Sequence, residues 1–125
     1  MKYAEMLAQR STCKRLQVGT VITTTDFRKV LAIGYNGMAS GLSNECLPDG
    51  KGGCQDIHSE MNAIANCSSP REISKVVFVT YNPCVTCAQL LVNMGGVQKV
   101  FYRSEYRILE GLDILRQAGV KVVAM

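Results

Sequence analysis

Apolar residues fall into blocks that alternate between helical and strand-like spacing. From Met1 to about Ser11, Tyr3, Met6 and Leu7 repeat at helical intervals and predict an opening helix that buries them. Val18 to Thr25 and Lys29 to Tyr35 are rich in Val, Ile and Thr and predict two strands. The short turn around Asp26-Phe27 is too tight for a crossover, so these two strands form an antiparallel hairpin. A helix from His58 to Cys67 carries Met61, Ile64 and Ala65 on one side, and Lys75 to Thr80 (KVVFVT) predicts a buried strand. Pro83 opens a second helix, Cys84 to Met94, in which Cys87, Leu91 and Met94 share a face before Gly95-Gly96 stops it. Gln98 to Tyr102 predicts a further strand. Ser104 then caps a helix with Ile108, Leu109, Leu112 and Leu115, which ends at Gly119, and Val120 to Ala124 closes the chain as the fifth strand. No internal repeat or low-complexity tract interrupts this order.

Strands and helices alternate after residue 57, which predicts parallel pairing through helical crossovers. The expected fold class is α/β: a five-stranded mixed sheet, helices on both faces, and the last two strands parallel. At 125 residues the chain makes one domain, 1–125, with a core that needs no disulfides. No run approaches the roughly 20 apolar residues of a membrane span, and Met1-Lys2-Tyr3-Ala4-Glu5 lacks the apolar core of a signal peptide. A cytoplasmic protein without a membrane partner is expected. The formal charge of +4 is mild, and Lys14-Arg15 with Arg103 and Arg107 are the nearest approaches to a basic cluster. That is too little for a nucleic-acid footprint and enough to hold a phosphate.

Two short motifs change the picture from fold to chemistry. His58-Ser59-Glu60 contains the only histidine of the chain, and Pro83-Cys84-Val85-Thr86-Cys87 supplies a C-x-x-C pair. Two thiolates and an imidazole bind Zn²⁺ well and leave the fourth tetrahedral position for water. Glu60 is then free to carry protons between that water and a substrate. His58 and Glu60, two residues apart, do not share a face in mid-helix and converge only on a point off the helix start. Cys84 and Cys87 do share a face, and two helix N-termini aimed at one point favour the thiolate forms. A redox pair or a purely structural zinc would account for the cysteines, but a redox pair leaves His58 and Glu60 unexplained. Together the motifs match the H-x-E…P-C-x-x-C pattern of zinc-dependent nucleobase deaminases.

Further segments narrow the match. Arg10-Ser11-Thr12-Cys13, Val18 to Ile22, Gly34-Tyr35-Asn36-Gly37-Met38, His58 to Ile64, Pro83 to Ala88 and Tyr102 to Arg107 all resemble the deoxycytidylate (dCMP) deaminases of the cytidine deaminase-like superfamily. The resemblance covers nearly the whole chain and implies a three-layer α/β/α fold, usually assembled as a homohexamer. It implies zinc held by His58, Cys84 and Cys87, with Glu60 as proton carrier in converting dCMP to dUMP for thymidylate synthesis. It further implies that Asn36 contacts the sugar hydroxyl and that Tyr106 and Arg107 close over the nucleotide or respond to dCTP and dTTP as effectors. Arg15 is a candidate for the phosphate, and the resemblance places Ser59 beside the base pocket. Family members usually carry alanine at the position of Ser59 and commonly proline at that of Ala39, and this chain is short between Asn36 and His58.

Asn36 to Ile57 is a 22-residue stretch with five glycines and no periodicity, longer than structureless loops usually run in compact domains. Cys13, Cys46 and Cys54 lie in or can fold against it. Either these are buried thiols or they hold a second, structural zinc, for which the resemblance supplies Asp56 as the fourth ligand. Cys67 reads as a core residue. Three other functions compete with dCMP deamination: action on another or modified cytosine nucleotide, on a tRNA adenosine or a related base, and a non-catalytic role like that of competence-associated relatives.

Overall fold

The computed structural model describes residues 1–13, 15–45 and 55–125. In chain order these form α1 (Lys2–Ala8), β1 (Gly19–Thr24), β2 (Val30–Tyr35), α2 (Ser59–Asn66), β3 (Lys75–Tyr81), α3 (Val85–Met94), β4 (Val97–Ser104), α4 (Glu110–Gln117) and β5 (Lys121–Ala124). The strands make one mixed sheet in the order β2-β1-β3-β4-β5. The turn after β1 returns β2 antiparallel to it, with Gly19 opposite Tyr35 and Val21 opposite Ile33. β1 is also antiparallel to β3, whereas β3–β4 and β4–β5 are parallel. Each parallel pair is joined through a helix because the chain must travel back along the sheet before the next strand starts. The mixed five-stranded α/β sheet, with its last two strands parallel, is as the sequence predicts.

β3 sits at the centre, and five of its seven residues are buried. A strand covered on both faces reads as a near-continuous apolar run, which is why KVVFVT stands out in the sequence. Val77 and Val79 face a core built with Ile22, Ala63, Ala88, Leu91, Val100, Leu112 and Leu115, so α2, α3 and α4 share that side. The other side is thinner: Ala4 and Leu7 of α1 pack with Val21, Ile33, Tyr35 and Phe78. Lys75, wholly buried at the start of β3, donates from Nζ to the carbonyls of Pro70, Ile73 and Gly95, each at 2.9 Å. All three ammonium hydrogens are used, which is what makes a buried cation tolerable. Among the described residues, no helix is long and apolar enough to cross a membrane.

Three local expectations need correction. Tyr3 and Met6 are 44% and 65% exposed, and α1 buries Ala4, Leu7 and Ala8 instead. The reason is close approach: a Cβ on Gly19 would stand 2.0 Å from the Ala4 carbonyl oxygen and 2.7 Å from the Ala8 nitrogen, so the helix turns its two alanines to that contact, with Leu7 packing beside it on Val21. Pro83 is not the first helical residue, because Cys84 is the N-cap of α3. Ser104 does not cap the last helix. It ends β4, opposite Tyr81, and α4 starts only at Glu110, which leaves Tyr106 and Arg107 in the connection.

α2 lies against β2 at a glycine. A Cβ on Gly34 would sit 2.3 Å from the Ser59 oxygen and 2.5 Å from the Ala63 nitrogen. Backbone atoms cannot yield as a flexible side chain would. Gly34→Ala is therefore expected to lower unfolding free energy by about 1–3 kcal/mol, the usual cost of overpacking, in urea titration. An unchanged midpoint would contradict this seating of α2.

Candidate active site

The site forms where two helices start. Besides the Gly34 contact, Asn62 and Asn66 donate from their side-chain amides to the carbonyls of Tyr35 and Ile33 (2.9 and 3.1 Å), holding α2 to the edge strand. A two-way backbone bridge between Gly37 and Ile57, at 2.8 and 3.1 Å, fixes the approach to His58. His58 is the extended N-cap residue of α2, and Cys84 takes the same place on α3. The Cys84 sulfur accepts from the Cys87 N–H at 3.4 Å, a cap made by a thiol. The resulting cluster is the one metal-capable group of its kind among the described residues: His58, Cys84 and Cys87, with ligand atoms all within 4.8 Å of one another.

The geometry suits zinc. His58 Nδ1 lies 3.3 Å from Cys87 Sγ and 3.6 Å from Cys84 Sγ. Bonds of about 2.0 Å to nitrogen and 2.3 Å to sulfur at tetrahedral angles place such ligands about 3.6 Å apart. The charges agree. The Cys84 thiol is lowered to about 4, foremost through its hydrogen bond with the Cys87 side chain, with His58 and the Cys87 N–H adding to the effect. Cys87 is pushed up, first by the Cys84 sulfur, then by burial and the Glu60 carboxylate. These opposite directions describe one pair sharing one proton, with the charge on Cys84 and the proton on Cys87. A divalent cation would relieve the crowding and expel that proton, because thiolates are the binding form. Hydrogen bonding with Cys84 likewise raises the pKa of His58.

Glu60 stands in the first turn of α2 and is 5% exposed. Burial raises its pKa above the ordinary carboxylate value, and the Ser59 hydroxyl opposes that shift. A carboxyl moved toward neutrality is suited to taking up and giving back protons near pH 7. The Ser59 hydroxyl is itself fully buried and bonds Glu60 Oε1 at 2.7 Å.

The other expected site residues are spread around this centre. Asn36 is buried: its Oδ1 accepts from the Val18 N–H, and its Nδ2 donates to Leu16 O and Asp56 Oδ2. Tyr106 and Arg107 are exposed, with the guanidinium 5.7 Å from the Tyr106 ring centre. Arg15 is exposed in the segment before β1. Cys13 is buried, and Cys46 and Cys54 lie outside the described residues. Sequence reasoning missed Asn82, which is buried, accepts from the Tyr106 N–H and donates to the Ile108 carbonyl at 2.8 Å. Its place directly before Pro-Cys was the available signal. It also missed Thr20, whose hydroxyl meets Ser59 at 2.7 Å.

Residues 1–104 match the cytidine and deoxycytidylate deaminase zinc-binding region. The chain belongs to this family of zinc-dependent deaminases, and His58, Cys84 and Cys87 are its zinc triad. It is 34% identical to ComE operon protein 2 of Bacillus subtilis over 98% of its own length and 67% of that protein's. It is 33% identical to the mouse deoxycytidylate deaminase over 85% of its length and 64% of the mouse protein. The chain thus spans about two thirds of these relatives. The crystal structure of dCMP deaminase from cyanophage S-TIM5, in complex with dCMP and dUMP, superposes with a TM-score of 0.89 at 38% identity, covering 99% of this chain and 92% of that one. The fold is therefore cytidine deaminase-like.

Cys87→Ser is expected to remove one equivalent of zinc per chain by elemental analysis. An unchanged metal content would place the ion elsewhere.

Proposed function

We propose that this protein hydrolyses dCMP to dUMP and ammonia. The observation that carries the reading is a buried carboxylate, Glu60, set beside the His58, Cys84 and Cys87 triad. Similarity to the cyanophage dCMP deaminase, bound there to dCMP and dUMP, supports the choice of nucleotide. When bound, zinc supplies the Lewis acidity that makes water a nucleophile at neutral pH. Glu60 takes a proton from the attacking water and delivers it to N3 of cytosine. A second proton reaches the exocyclic nitrogen by the same carboxyl as ammonia departs. One water is consumed and one ammonia released, so Glu60 ends as it began.

The remaining residues hold the nucleotide. Asn36 has three bonds of its amide committed within the protein, and by valence one acceptor position remains on Oδ1 for a sugar hydroxyl. Arg107 and Arg15 supply charge for the phosphate, and Tyr106 covers the sugar and base. Charge-assisted bonds to phosphate are strong enough to make the monophosphate a much better substrate than deoxycytidine. A second reading, a deaminase-fold protein that does not turn over dCMP, is favoured by the similarity to ComE operon protein 2, whose name states no reaction.

Glu60→Gln is expected to lower kcat by about 10²- to 10⁴-fold, the usual contribution of a general acid–base, with zinc content unchanged. Ammonia release should be measured from dCMP, CMP, dCTP, deoxycytidine, 5-methyl-dCMP and a tRNA stem-loop. Turnover of dCMP well above deoxycytidine is the expected result. Equal rates on both, or activity confined to the stem-loop, would refute dCMP as substrate, and no turnover at all would favour the second reading.

A further inference from the structure

Ser59 and Thr20 are both fully buried, one at the first turn of α2 and the other on β1 beneath it. Their hydroxyl oxygens are 2.7 Å apart, and Ser59 Oγ is also 2.7 Å from Glu60 Oε1. Thr20 lies on the same face of β1 as Ile22, within the core beneath α2. If these positions served packing alone, small apolar side chains would fill them without the cost of burying two hydroxyls.

The chemistry of the groups fixes the direction of the chain of bonds. An ionised carboxylate only accepts, so the Ser59 proton goes to Oε1. Ser59 has no second proton, so Thr20 must donate to Ser59. The same pattern survives when Glu60 is protonated, provided that the proton sits on Oε2. The terminal torsion of a glutamate is broad and nearly two-fold, so rotamer preference alone would not choose between its oxygens. The bond from Ser59, beside the hydrogen bond of the Glu60 backbone, favours one plane for the carboxylate, so that one oxygen is held by Ser59 and the other faces away from it.

We propose that Thr20 and Ser59 are positioning residues for Glu60, a buried hydroxyl relay that tethers Oε1 and leaves Oε2 to carry the proton. Thr20 acts only through Ser59, and Ser59 only through Glu60. This assignment rests on the reading of Glu60 as the proton carrier of a hydrolytic deaminase.

Two measurements test it. In steady-state kinetics on dCMP, Ser59→Ala should lower kcat about ten-fold with KM within about two-fold and zinc retained, because a misplaced proton carrier affects chemistry more than binding. Thr20→Val, which keeps the shape and removes the hydroxyl, should lower kcat by a smaller factor, and Thr20→Ser should restore it. The double variant Ser59→Ala/Thr20→Val should be no slower than Ser59→Ala alone, since the two residues act in series. The second measurement needs no turnover: high-resolution crystal structures of zinc-loaded wild type and Ser59→Ala. One carboxylate orientation in wild type and a turned or divided Glu60 in the variant would support the relay. An unchanged Glu60, an unchanged kcat, multiplicative effects of the two substitutions, or loss of zinc in Ser59→Ala would each overturn it. If wild type turns over no cytosine nucleotide, the substrate reading fails and the crystal structures alone decide the relay.

Discussion

The centre of this molecule depends on how closely α2 can lie on β2 and β1. Gly34 permits backbone-to-backbone approach, since any Cβ there would enter the space of Ser59 and Ala63. Asn62 and Asn66 then fasten the helix to carbonyls of the edge strand, and the Gly37–Ile57 bridge delivers the chain to His58. A helix held that close to the sheet brings His58 to the sulfurs that lead α3 out of the central strand. A shift of one side-chain thickness would separate imidazole from sulfur by more than a metal bond can span. The geometry of the triad is thus largely a consequence of sheet packing, to which the Cys84 sulfur adds its cap on α3.

The same packing sets the electrostatics. Glu60 and Cys87 are buried side by side with Cys84 close by, and each raises the cost of charge on the next. Two helix N-termini offset part of that cost, as does the N–H that Cys87 gives to the Cys84 sulfur. Neither is enough to carry two thiolates and a carboxylate in one buried place. A divalent cation is the group that completes the balance, and the donor set of one nitrogen and two sulfurs selects zinc over harder metals. Glu60 remains outside that set, buried beside it.

Much of this was legible in the residues, and the failures have physical causes. Period and β-branched content marked the strands, most plainly β1 and β3, which are buried runs, and the motif spacing marked the triad because its geometry requires helix starts. Tyr3 and Met6 look like core residues in the sequence, while the close contact with Gly19 turns Ala4 and Ala8 inward, with Leu7, and leaves Tyr3 and Met6 exposed. The start of α4 was misplaced because Ser104 has the chemistry of a cap, but strand pairing with β3 outweighs it. Thr20 and Asn82 were missed for a different reason. Nothing in a single sequence says that a threonine on a strand meets a serine 39 positions away, or that an asparagine before Pro-Cys reaches across to residues 106 and 108.

Asn82 also joins two parts of the molecule that the sequence presents as separate. Its amide fixes Tyr106 and Ile108 from a position two residues before Cys84. Beyond them, α4 begins so close to the same turn that a Cβ on Gly111 would stand 2.1 Å from the Pro83 carbonyl oxygen. The connection bearing Tyr106 and Arg107 is therefore anchored to the backbone that presents the two sulfurs. Residues that are exposed and without regular structure are nonetheless held in register with the metal site. Neither anchor uses the side chains of Tyr106 or Arg107, so the backbone beneath them is held whatever those side chains do.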